Sequence, residues 1–527
     1  MTDGTGTTPY TYVPIGSLGA LQLQQESSPL ANSAIAYAYD ELGRLASRTV
    51  SGAGAETFHY DPIGRLTTHA SDLGAFTLGY LGQTGQLTSR TLASSTLATN
   101  WSYLPNSGDR RLSGINNTGL TAGQFSNYTY TTTPENQITG IAESSDASAV
   151  YPVAGTQTAT YNNLNQLTSL SGQALTFDAN GNLTSDGQRN YTWDAENRLL
   201  GITYPGASGK ATAFTYDGLG RRVSIASTPA GGGSATTTSY LWCGSDICQA
   251  RNASNTTTRS YYDEGEYVPG SPAQPYYYGI DQIGSVRRAF ASTSSALAYG
   301  YDPYGVPLQT TAPVTDYVYG GMFYNADSGL YLTRYRAYDS VVGRWLSRDP
   351  LGEATTSPVG NLYTYVGGRP TNATDISGLV ASGPVQAGPS SGGQSCSDGG
   401  FSARPQLAQL LGPPPVFFGR PPVVLPRPVT PLEELPPGSS GGLGAERNFP
   451  RSYNKQQPEG TPCLYCGEPT TKEPGPNQLQ GDHVVPKSQG GNNTPENYAP
   501  SCRTCNLQKG PRTPKEWYNK LGPGGEG

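Results

Sequence analysis

The sequence predicts a mainly β protein, and three observations lead to this fold class. The chain has 527 residues, including 68 glycines and 43 prolines, and both residue types oppose helix formation. It also has 36 tyrosines, a residue type that favours strands. A degenerate motif with an aromatic residue and a turn recurs through the first two-thirds of the chain. A chain of this length is expected to form two or more domains.

The repeated motif has the features of a β-hairpin. In its first copy, Tyr39 ends a strand, Asp40 begins a turn through its side-chain acceptor, and Gly43 supplies a positive φ. Arg44 and Leu45 then begin the returning strand. Further copies start at Tyr60, Tyr80, Tyr161, Phe177, Trp193 and Tyr216. Repeats at this period indicate a stacked array of hairpins, so we interpret these glycines and aspartates as turn residues rather than ligands.

The hairpins resemble the YD repeats of the Rhs family. The resemblance is strongest in segments typical of the Rhs-associated core, which are Gly329–Tyr331, Arg334–Asp339, Gly343–Pro350, Asn361–Tyr365 and Pro370–Leu379. It implies a YD-repeat spiral β-shell that encloses a toxic C-terminal domain, with the Rhs core closing one end.

Composition and resemblance together divide the chain into five parts. We expect an N-terminal segment at residues 1–34, YD repeats at 35–320, an Rhs-associated core at 321–379, a linker at 380–446 and a small C-terminal domain at 447–527. The linker is rich in proline, glycine and serine, a composition typical of connections that are partly extended and partly flexible.

The resemblance also implies a self-cleavage site where the core meets the linker. Asp349 and Asp375 match an aspartic-protease pair of such cores, and Arg348 stands beside the first. The cut would fall between Leu379 and Val380. Two close carboxylates can share one proton, so that one activates water while the other protonates the leaving group.

The junction departs from the family pattern at one position and leaves an alternative open. Ile376 stands where the family usually has proline. Because proline pre-sets φ, we expect a looser turn before Leu379 in this chain. The alternative is that Asp349 and Asp375 only cap turns, in a core that does not cleave itself.

Four cysteines near the C-terminal end form two CxxC pairs, Cys463 with Cys466 and Cys502 with Cys505. Paired CxxC knuckles indicate a structural Zn²⁺ held by four thiolates, with no position left for water. A redox role fits two separate knuckles amid glycine and proline less well. The sequence therefore predicts a zinc site in the C-terminal domain.

Two other cysteines, Cys243 and Cys248, lie far from the CxxC pairs. They do not form the disulfide framework of a small secreted scaffold. We expect both to be buried free thiols, with a local disulfide between them as the less favoured alternative.

The segment between the CxxC pairs resembles the HNH (ββα-metal) nuclease family. A strand is expected at residues 479–485, a returning strand at 498–501 and a helix from about Cys502 to Gly510, where Gly-Pro stops it. Two strands and a helix around one metal ion are the arrangement that this family uses.

Each site residue of this domain takes a role from its chemistry and its matching position. His483 is the expected general base, because imidazole can accept a proton from water near neutral pH. Asp482 and Asn506 are the expected oxygen ligands of a catalytic divalent cation, Mg²⁺ first and Mn²⁺ or Zn²⁺ as alternatives. Asn497 matches the middle asparagine, which would pin the loop and orient His483.

The charge distribution singles out the same end of the chain. The formal net charge of the whole chain is −6, which does not indicate nucleic-acid binding. Residues 481–520, however, hold six basic and three acidic side chains. This local excess suits a phosphate backbone, and a solvated basic face is the alternative. Arg503 and Lys509 are the expected phosphate contacts.

The N-terminal residues lack the basic start and apolar stretch of a cleaved signal peptide, and no apolar run reaches membrane-spanning length. We therefore expect a protein that is secreted or delivered into a target cell without such a signal, and that is cytoplasmic before export. The resemblance implies a cognate immunity protein as partner, with a secretion-system component as a further partner.

Together these features predict a toxin with a C-terminal HNH endonuclease, with DNA as the favoured substrate. The main alternative is a zinc-knuckle module that binds nucleic acid without cutting it. The adjacent Asp482 and His483 distinguish the two, because simple binding needs no base beside a metal ligand. A third interpretation is an inactive fragment of a shell protein whose C-terminal domain has lost its function.

Overall fold

The computed structural model describes two compact units, residues 1–416 and 417–527. The residues described are 1–147, 151, 155–291, 297–309, 312–351, 361–383, 461, 463, 470–472, 478–483, 498–503 and 506. The structure is nearly all sheet, as the composition predicts. Among these residues no helix is both long and apolar enough to cross a membrane.

The first unit begins with a short hairpin and a twelve-stranded antiparallel sheet in which each strand pairs with the next along the chain. The hairpin strands are β1 (Thr2–Asp3) and β2 (Gly6–Thr7). The sheet strands are β3 (Tyr10–Tyr12), β4 (Leu23–Ser27), β5 (Ala34–Tyr39), β6 (Leu45–Val50), β7 (Ala55–Tyr60), β8 (Leu66–Ser71), β9 (Gly74–Tyr80), β10 (Leu87–Leu92), β11 (Ala98–Tyr103), β12 (Leu112–Thr118), β13 (Phe125–Thr132) and β14 (Ile138–Ser145). The expected N-terminal segment thus supplies two strands of the repeat sheet.

A three-stranded and a thirteen-stranded sheet follow, again as sequential antiparallel hairpins. The three strands are β15 (Ala159–Tyr161), β16 (Leu167–Leu170) and β17 (Gln173–Ala174). The thirteen strands are β18 (Thr176–Phe177), β19 (Leu183–Ser185), β20 (Asn190–Trp193), β21 (Leu199–Thr203), β22 (Ala211–Tyr216), β23 (Arg222–Thr228), β24 (Thr236–Cys243), β25 (Asp246–Arg251), β26 (Thr257–Tyr262), β27 (Gly265–Val268), β28 (Gln274–Ile280), β29 (Val286–Phe290) and β30 (Leu297–Ala298).

The remaining described elements are short. The core segment holds β31 (Phe323–Asn325), β32 (Leu330–Leu332), β33 (Ala337–Asp339) and β34 (Arg344–Trp345). Single 3₁₀ turns lie at Asn106–Gly108, Tyr319–Gly321 and Val366–Gly368. The second unit contains the antiparallel pair β35 (Leu479–His483) and β36 (Tyr498–Cys502). Arg503 and Asn506, which follow β36, have helical backbone.

The repeated turns are built as the sequence predicts, and the turn from Asp61 to Arg65 is a clear example. Asp61 Oδ1 accepts hydrogen bonds from the Ile63 and Arg65 amides, at 3.1 and 2.9 Å. Its Oδ2 pairs with Arg65 Nε at 2.7 Å. The Arg65 guanidinium lies 4.5 Å from the ring centre of Tyr80 in the next hairpin, and the Tyr80 hydroxyl donates to the Leu66 carbonyl at 2.7 Å. The turn is therefore held by its own hydrogen bonds and ion pair, and it also contacts the next hairpin.

The core segment packs against both large sheets of the first unit. Its buried aromatic residues Tyr331, Tyr338, Trp345 and Tyr365 share one hydrophobic cluster with Tyr319 and with side chains from both sheets. Tyr338 and Tyr365 lie closest, with ring centres 4.3 Å apart. Burial of these large rings supplies much of the packing that holds the hairpins together.

The prediction of free thiols at Cys243 and Cys248 is wrong, because the structure pairs them in a disulfide with Cα atoms 5.8 Å apart. The strands β24 and β25 form a hairpin, and their register shifts between Leu241 and Trp242. Both cysteines are buried in the same hydrophobic cluster. The pairing depends on this register, which the residue spacing alone does not reveal.

Candidate active sites

The core carboxylates meet at a single arginine. Arg336 Nη2 lies 3.0 Å from Asp349 Oδ2 and 3.1 Å from Asp375 Oδ2. All three side chains are almost fully buried, each about 3% exposed. Three segments supply them: the residue before β33, the loop after β34, and the turn that follows Thr374. The fold therefore brings together the two aspartates that the sequence singled out.

Asp375 organises the turn that leads to the predicted cleavage site. Its Oδ1 accepts hydrogen bonds from the Gly378 amide at 2.8 Å, the Leu379 amide at 3.0 Å and the Ser377 hydroxyl at 3.1 Å. Gly378 has a left-handed backbone, with φ of +79°, and a Cβ there would lie 2.2 Å from Thr333 Oγ1. Glycine is therefore required at this position.

The predicted junction lies in a short loop that is closed by backbone hydrogen bonds. Thr374 and Ser382 exchange both bonds, at 3.0 and 2.8 Å. Leu379 and Val380 lie between them, and Val380 is 58% exposed. The Leu379–Val380 peptide bond therefore follows a residue whose amide is bonded to the buried Asp375 carboxylate, and the Val380 side chain after it is exposed to solvent.

The electrostatics of the two carboxyl groups are set by burial and by their shared arginine. Burial raises the pKa of Asp349, and the nearby Asp375 raises it further, while Arg336 acts in the opposite direction. Burial also lowers the pKa of Arg336, against the pull of the two carboxylates. Asp349 therefore keeps its proton more readily than an ordinary aspartic acid does.

The arginine that bonds both aspartates is Arg336, and not the neighbouring Arg348. The Arg348 side chain lies near Gly181 and Tyr363, because adjacent residues of an extended segment point to opposite sides. Arg336 bonds both aspartates instead, and the sequence analysis gave it no role. Arg336 lies in one of the segments typical of the Rhs-associated core. Its contacts with Asp349 and Asp375, however, join segments that are distant in sequence.

Ile376 does not leave the turn unsupported. Its side chain is partly buried and packs against the central hydrophobic cluster. The hydrogen bonds that Asp375 accepts fix the next three residues. Packing and hydrogen bonding thus restrain the turn at a position where the family pattern has proline.

The second candidate site lies on the hairpin of β35 and β36. Asp482 pairs with Ala499 and His483 pairs with Tyr498 across the two strands. Asp482 is 5% exposed, and its Oδ1 accepts a hydrogen bond from the His483 amide at 2.8 Å. Because side chains alternate along a strand, the carboxylate and the imidazole leave opposite faces of β35.

Asn506 lies beside the carboxylate face of this hairpin. Its Nδ2 donates to Gln480 Oε1 at 2.9 Å, and Gln480 lies two residues before Asp482 on the same face of β35. This bond commits the amide nitrogen of Asn506 to Gln480 and leaves the carbonyl oxygen as the group that could bind a cation. The predicted ligands Asp482 and Asn506 are thus on one side of the hairpin.

Two of the four CxxC cysteines are described, and both are buried: Cys463 and Cys502 are each 2% exposed. Arg503 is exposed, and its backbone amide donates to the Gln478 carbonyl at 2.9 Å. Four predicted site residues lie outside the described residues, namely Cys466, Asn497, Cys505 and Lys509. Within the described part of the chain, no three His, Cys, Asp or Glu side chains form a group that could hold a metal ion.

The donors that are described fit the ions expected from the sequence. Buried thiols are the ligands that Zn²⁺ prefers, and Cys463 and Cys502 are buried. A carboxylate and an amide oxygen suit a hard divalent cation, and Asp482 with Asn506 offers this pair.

Two family models match the chain. The Teneurin YD-shell model matches residues 151–370. The HNH endonuclease model matches residues 463–512, which include both CxxC pairs and the Asp482–His483 step. The chain thus has a YD-shell region similar to that of the Rhs family and a C-terminal HNH endonuclease segment.

Curated relatives of this chain include nucleases and toxins. The tRNA3(Ser)-specific nuclease WapA of Bacillus spizizenii is 32% identical over 234 residues, which cover 42% of this chain and 10% of WapA. The toxin protein Tse5 of Pseudomonas aeruginosa is 27% identical, over 41% of this chain and 19% of Tse5. This chain therefore spans between a tenth and a fifth of the length of these relatives.

A solved structure shares the shell fold. The crystal structure of TcdB2-TccC3-TEV aligns with a TM-score of 0.51 and 20% sequence identity, over 72% of this chain and 24% of the other chain. At this identity the likeness concerns the fold alone.

Proposed function

We propose that this chain is a nuclease toxin whose C-terminal domain, residues 447–527, hydrolyses phosphodiester bonds of nucleic acid, with DNA as the favoured substrate. The observation that carries the proposal is the hairpin on which Asp482 and His483 are consecutive residues of β35, with Asn506 hydrogen-bonded to Gln480 of the same strand. The HNH match over residues 463–512 supports it.

His483 takes the proton of the water that attacks phosphorus, and the leaving oxygen departs on the opposite side. Asp482 and Asn506 would hold the divalent cation, with Mg²⁺ expected first. When bound, such a cation stabilises negative charge on the scissile phosphate and the leaving oxygen. Asn497 orients His483, and Arg503 and Lys509 contact neighbouring phosphates.

The other ligands and partners follow from the same proposal. Cys463, Cys466, Cys502 and Cys505 would hold a structural Zn²⁺, which would stabilise the domain. The toxin is delivered into a target cell. A cognate immunity protein protects the producing cell, and a secretion-system component assists delivery. The naming of Tse5 as a toxin protein supports this role.

The test is cutting by the full chain. Purified protein is incubated with plasmid DNA and, separately, with structured RNA, because the relative WapA is a tRNA nuclease. Each reaction is run with Mg²⁺, with Mn²⁺ and with EDTA. Cutting of DNA that needs a divalent cation supports the proposal, and cutting of RNA alone corrects its substrate. A folded, zinc-loaded chain that binds either nucleic acid without cutting it would favour the zinc-knuckle alternative.

A second activity is favoured by the core geometry: hydrolysis of the chain's own Leu379–Val380 bond. One carboxylate of the pair takes a proton from water, whose oxygen bonds to the Leu379 carbonyl carbon. The other carboxyl group gives its proton to the Val380 nitrogen as the C–N bond breaks. The products are a Leu379 carboxylate and a free Val380 amine, so the linker and nuclease are released from the shell. The hydrogen bonds that the turn at Leu379 donates to Asp375 support this step.

A further inference from the structure

Arg336 contacts every part of the core site. Besides its bonds to Asp349 and Asp375, its Nε donates to the Gly378 carbonyl at 2.5 Å. That carbonyl is one peptide before the predicted cut. The Arg336 side chain therefore contacts both carboxylates and also the backbone next to the bond that they would cleave.

Arg336 is itself held through both its side chain and its backbone. Its carbon lies 4.2 Å from the ring centre of Trp345, close enough for a cation–π contact. The Arg336 backbone exchanges hydrogen bonds with Thr333 Oγ1, at 3.1 Å from its amide and 2.8 Å to its carbonyl. Only an arginine has a planar fork that can donate in these directions at once, because a lysine ammonium is a single point charge.

The charge of Arg336 also bears on the proton that cleavage requires. Two buried carboxylates this close would repel each other strongly if both were ionised. The guanidinium between them offsets that repulsion and keeps one of them able to act as a base. The single nitrogen that touches both Oδ2 atoms also fixes the distance between the two carboxyl groups.

We propose that Arg336 is the positioning residue of self-cleavage: it sets the spacing of Asp349 and Asp375 and clamps the Gly378–Leu379 peptide against them. This inference rests on the proposed self-cleavage. Arg336 is the arginine that contacts both aspartates, whereas Arg348 is only adjacent to Asp349 in sequence. Arg336 does not touch the bond that breaks, and it acts through the two aspartates and the turn.

The test follows cleavage in the full chain, in a His483→Ala background so that nuclease activity does not interfere. The chain is collected unfolded from inclusion bodies and refolded into a series of buffers across acid and neutral pH. The appearance of fragments 1–379 and 380–527 is timed on gels. The variants are Arg336→Met and Arg336→Lys. The control is Arg334→Met, since Arg334 lies two residues away and donates to the Leu219 carbonyl instead.

The two variants have different expected results. Arg336→Met should slow cleavage about a hundredfold, and the fall of its rate with pH should move to higher pH, because the cation that opposes proton uptake by Asp349 is gone. Arg336→Lys should slow cleavage about tenfold and keep the parental pH profile, because charge remains while the fork is lost. A merely structural role would slow both variants without moving either profile.

The outcomes that overturn the inference are distinct from failure of self-cleavage. A parent chain that stays intact at every pH overturns both proposals. A parent that cleaves while folded Arg336→Met cleaves at the same rate, or keeps the parental pH profile, overturns the role of Arg336 alone. Should Arg336→Met fail to fold, the lysine variant decides: cleavage as fast as in the parent contradicts the clamp, and slowing that Arg334→Met does not share supports it.

Discussion

The two candidate sites of this chain are assembled in different ways. The hairpin site is local, because Asp482, His483 and Asn506 lie within one short stretch of sequence around β35 and β36. The core site joins Arg336, before β33, to Asp349, after β34, and to a turn beyond Thr374. A local site is visible as a motif, whereas a site joined across the fold shows only some of its members in the sequence.

The charges of the two sites differ as well. In the core, an arginine already lies between the carboxylates of Asp349 and Asp375. On the hairpin, Asp482 lies on the same face as the amide side chains of Gln480 and Asn506. We therefore expect chemistry assisted by a divalent metal ion at the hairpin, and proton transfer without a metal ion in the core.

The largest effect should come from removing divalent cations. EDTA should reduce nucleic-acid cutting by more than about a hundredfold, because a hydrolase of this kind loses charge stabilisation on the phosphate. Cleavage of the chain between Leu379 and Val380 should proceed at its normal rate in the same buffer. Both reactions can be read from one tube, on agarose and protein gels. Chain cleavage that also stops in EDTA would contradict the division of chemistry between the two sites.

Replacing Asp375 by asparagine should have the next largest effect. The neutral amide can still accept from the Gly378 and Leu379 amides, but it cannot share a proton with Asp349, so chain cleavage should slow about a hundredfold or more. Asp61→Asn is the matched control, because Asp61 also caps a turn and pairs with an arginine. Equal slowing by both substitutions, measured by fragment appearance, would mean that cleavage only reports folding.

The pH dependence of cleavage should reflect the raised pKa of Asp349. Because burial raises this pKa, the carboxyl group keeps its proton to higher pH than an ordinary aspartic acid. Cleavage that needs this proton should be fastest below the raised pKa and fall about tenfold for each pH unit above it. Rates measured across acid and neutral buffers check this. A rate that rises steadily with pH would contradict a role for a protonated Asp349.

Asp61→Asn should cost stability rather than activity. The substitution removes the ion pair with Arg65 and weakens two hydrogen bonds to a side chain that is only 14% exposed. We expect the free energy of unfolding to fall by about 1 kcal/mol. Thermal unfolding followed by circular dichroism would show this as a lower midpoint. No change in the midpoint would mean that the neighbouring hairpins, rather than this turn, carry the local stability.

Much of the shell could be predicted because each repeat carries its own turn chemistry. Asp61, Gly64 and Arg65 build the expected hairpin turn from residues that are adjacent in sequence. The strands and helix around Asp482 and His483 were predicted for the same reason. The described ends of those elements agree with the expectation, since β35 and β36 pair and Arg503 has helical backbone.

What the sequence did not reveal depends on contacts between distant segments. Arg336, before β33, contacts Asp349 and Asp375 from segments that are distant in sequence, and this contact is not visible as a motif. The pairing of Cys243 with Cys248 depends on a register shift at Leu241, which neither cysteine spacing nor composition predicts. Long-range packing selects among arrangements that the local sequence leaves equally open.

Cutting of plasmid DNA with Mg²⁺ by the full chain, by His483→Ala and by His59→Ala tests the central claim most directly. His59 is an exposed residue of β7 and serves as the matched control. We predict that the parent and His59→Ala cut equally, and that His483→Ala, folded and still zinc-loaded, cuts at least about a hundredfold more slowly. Undiminished cutting by His483→Ala would contradict the assignment of the base and the nuclease mechanism built on it.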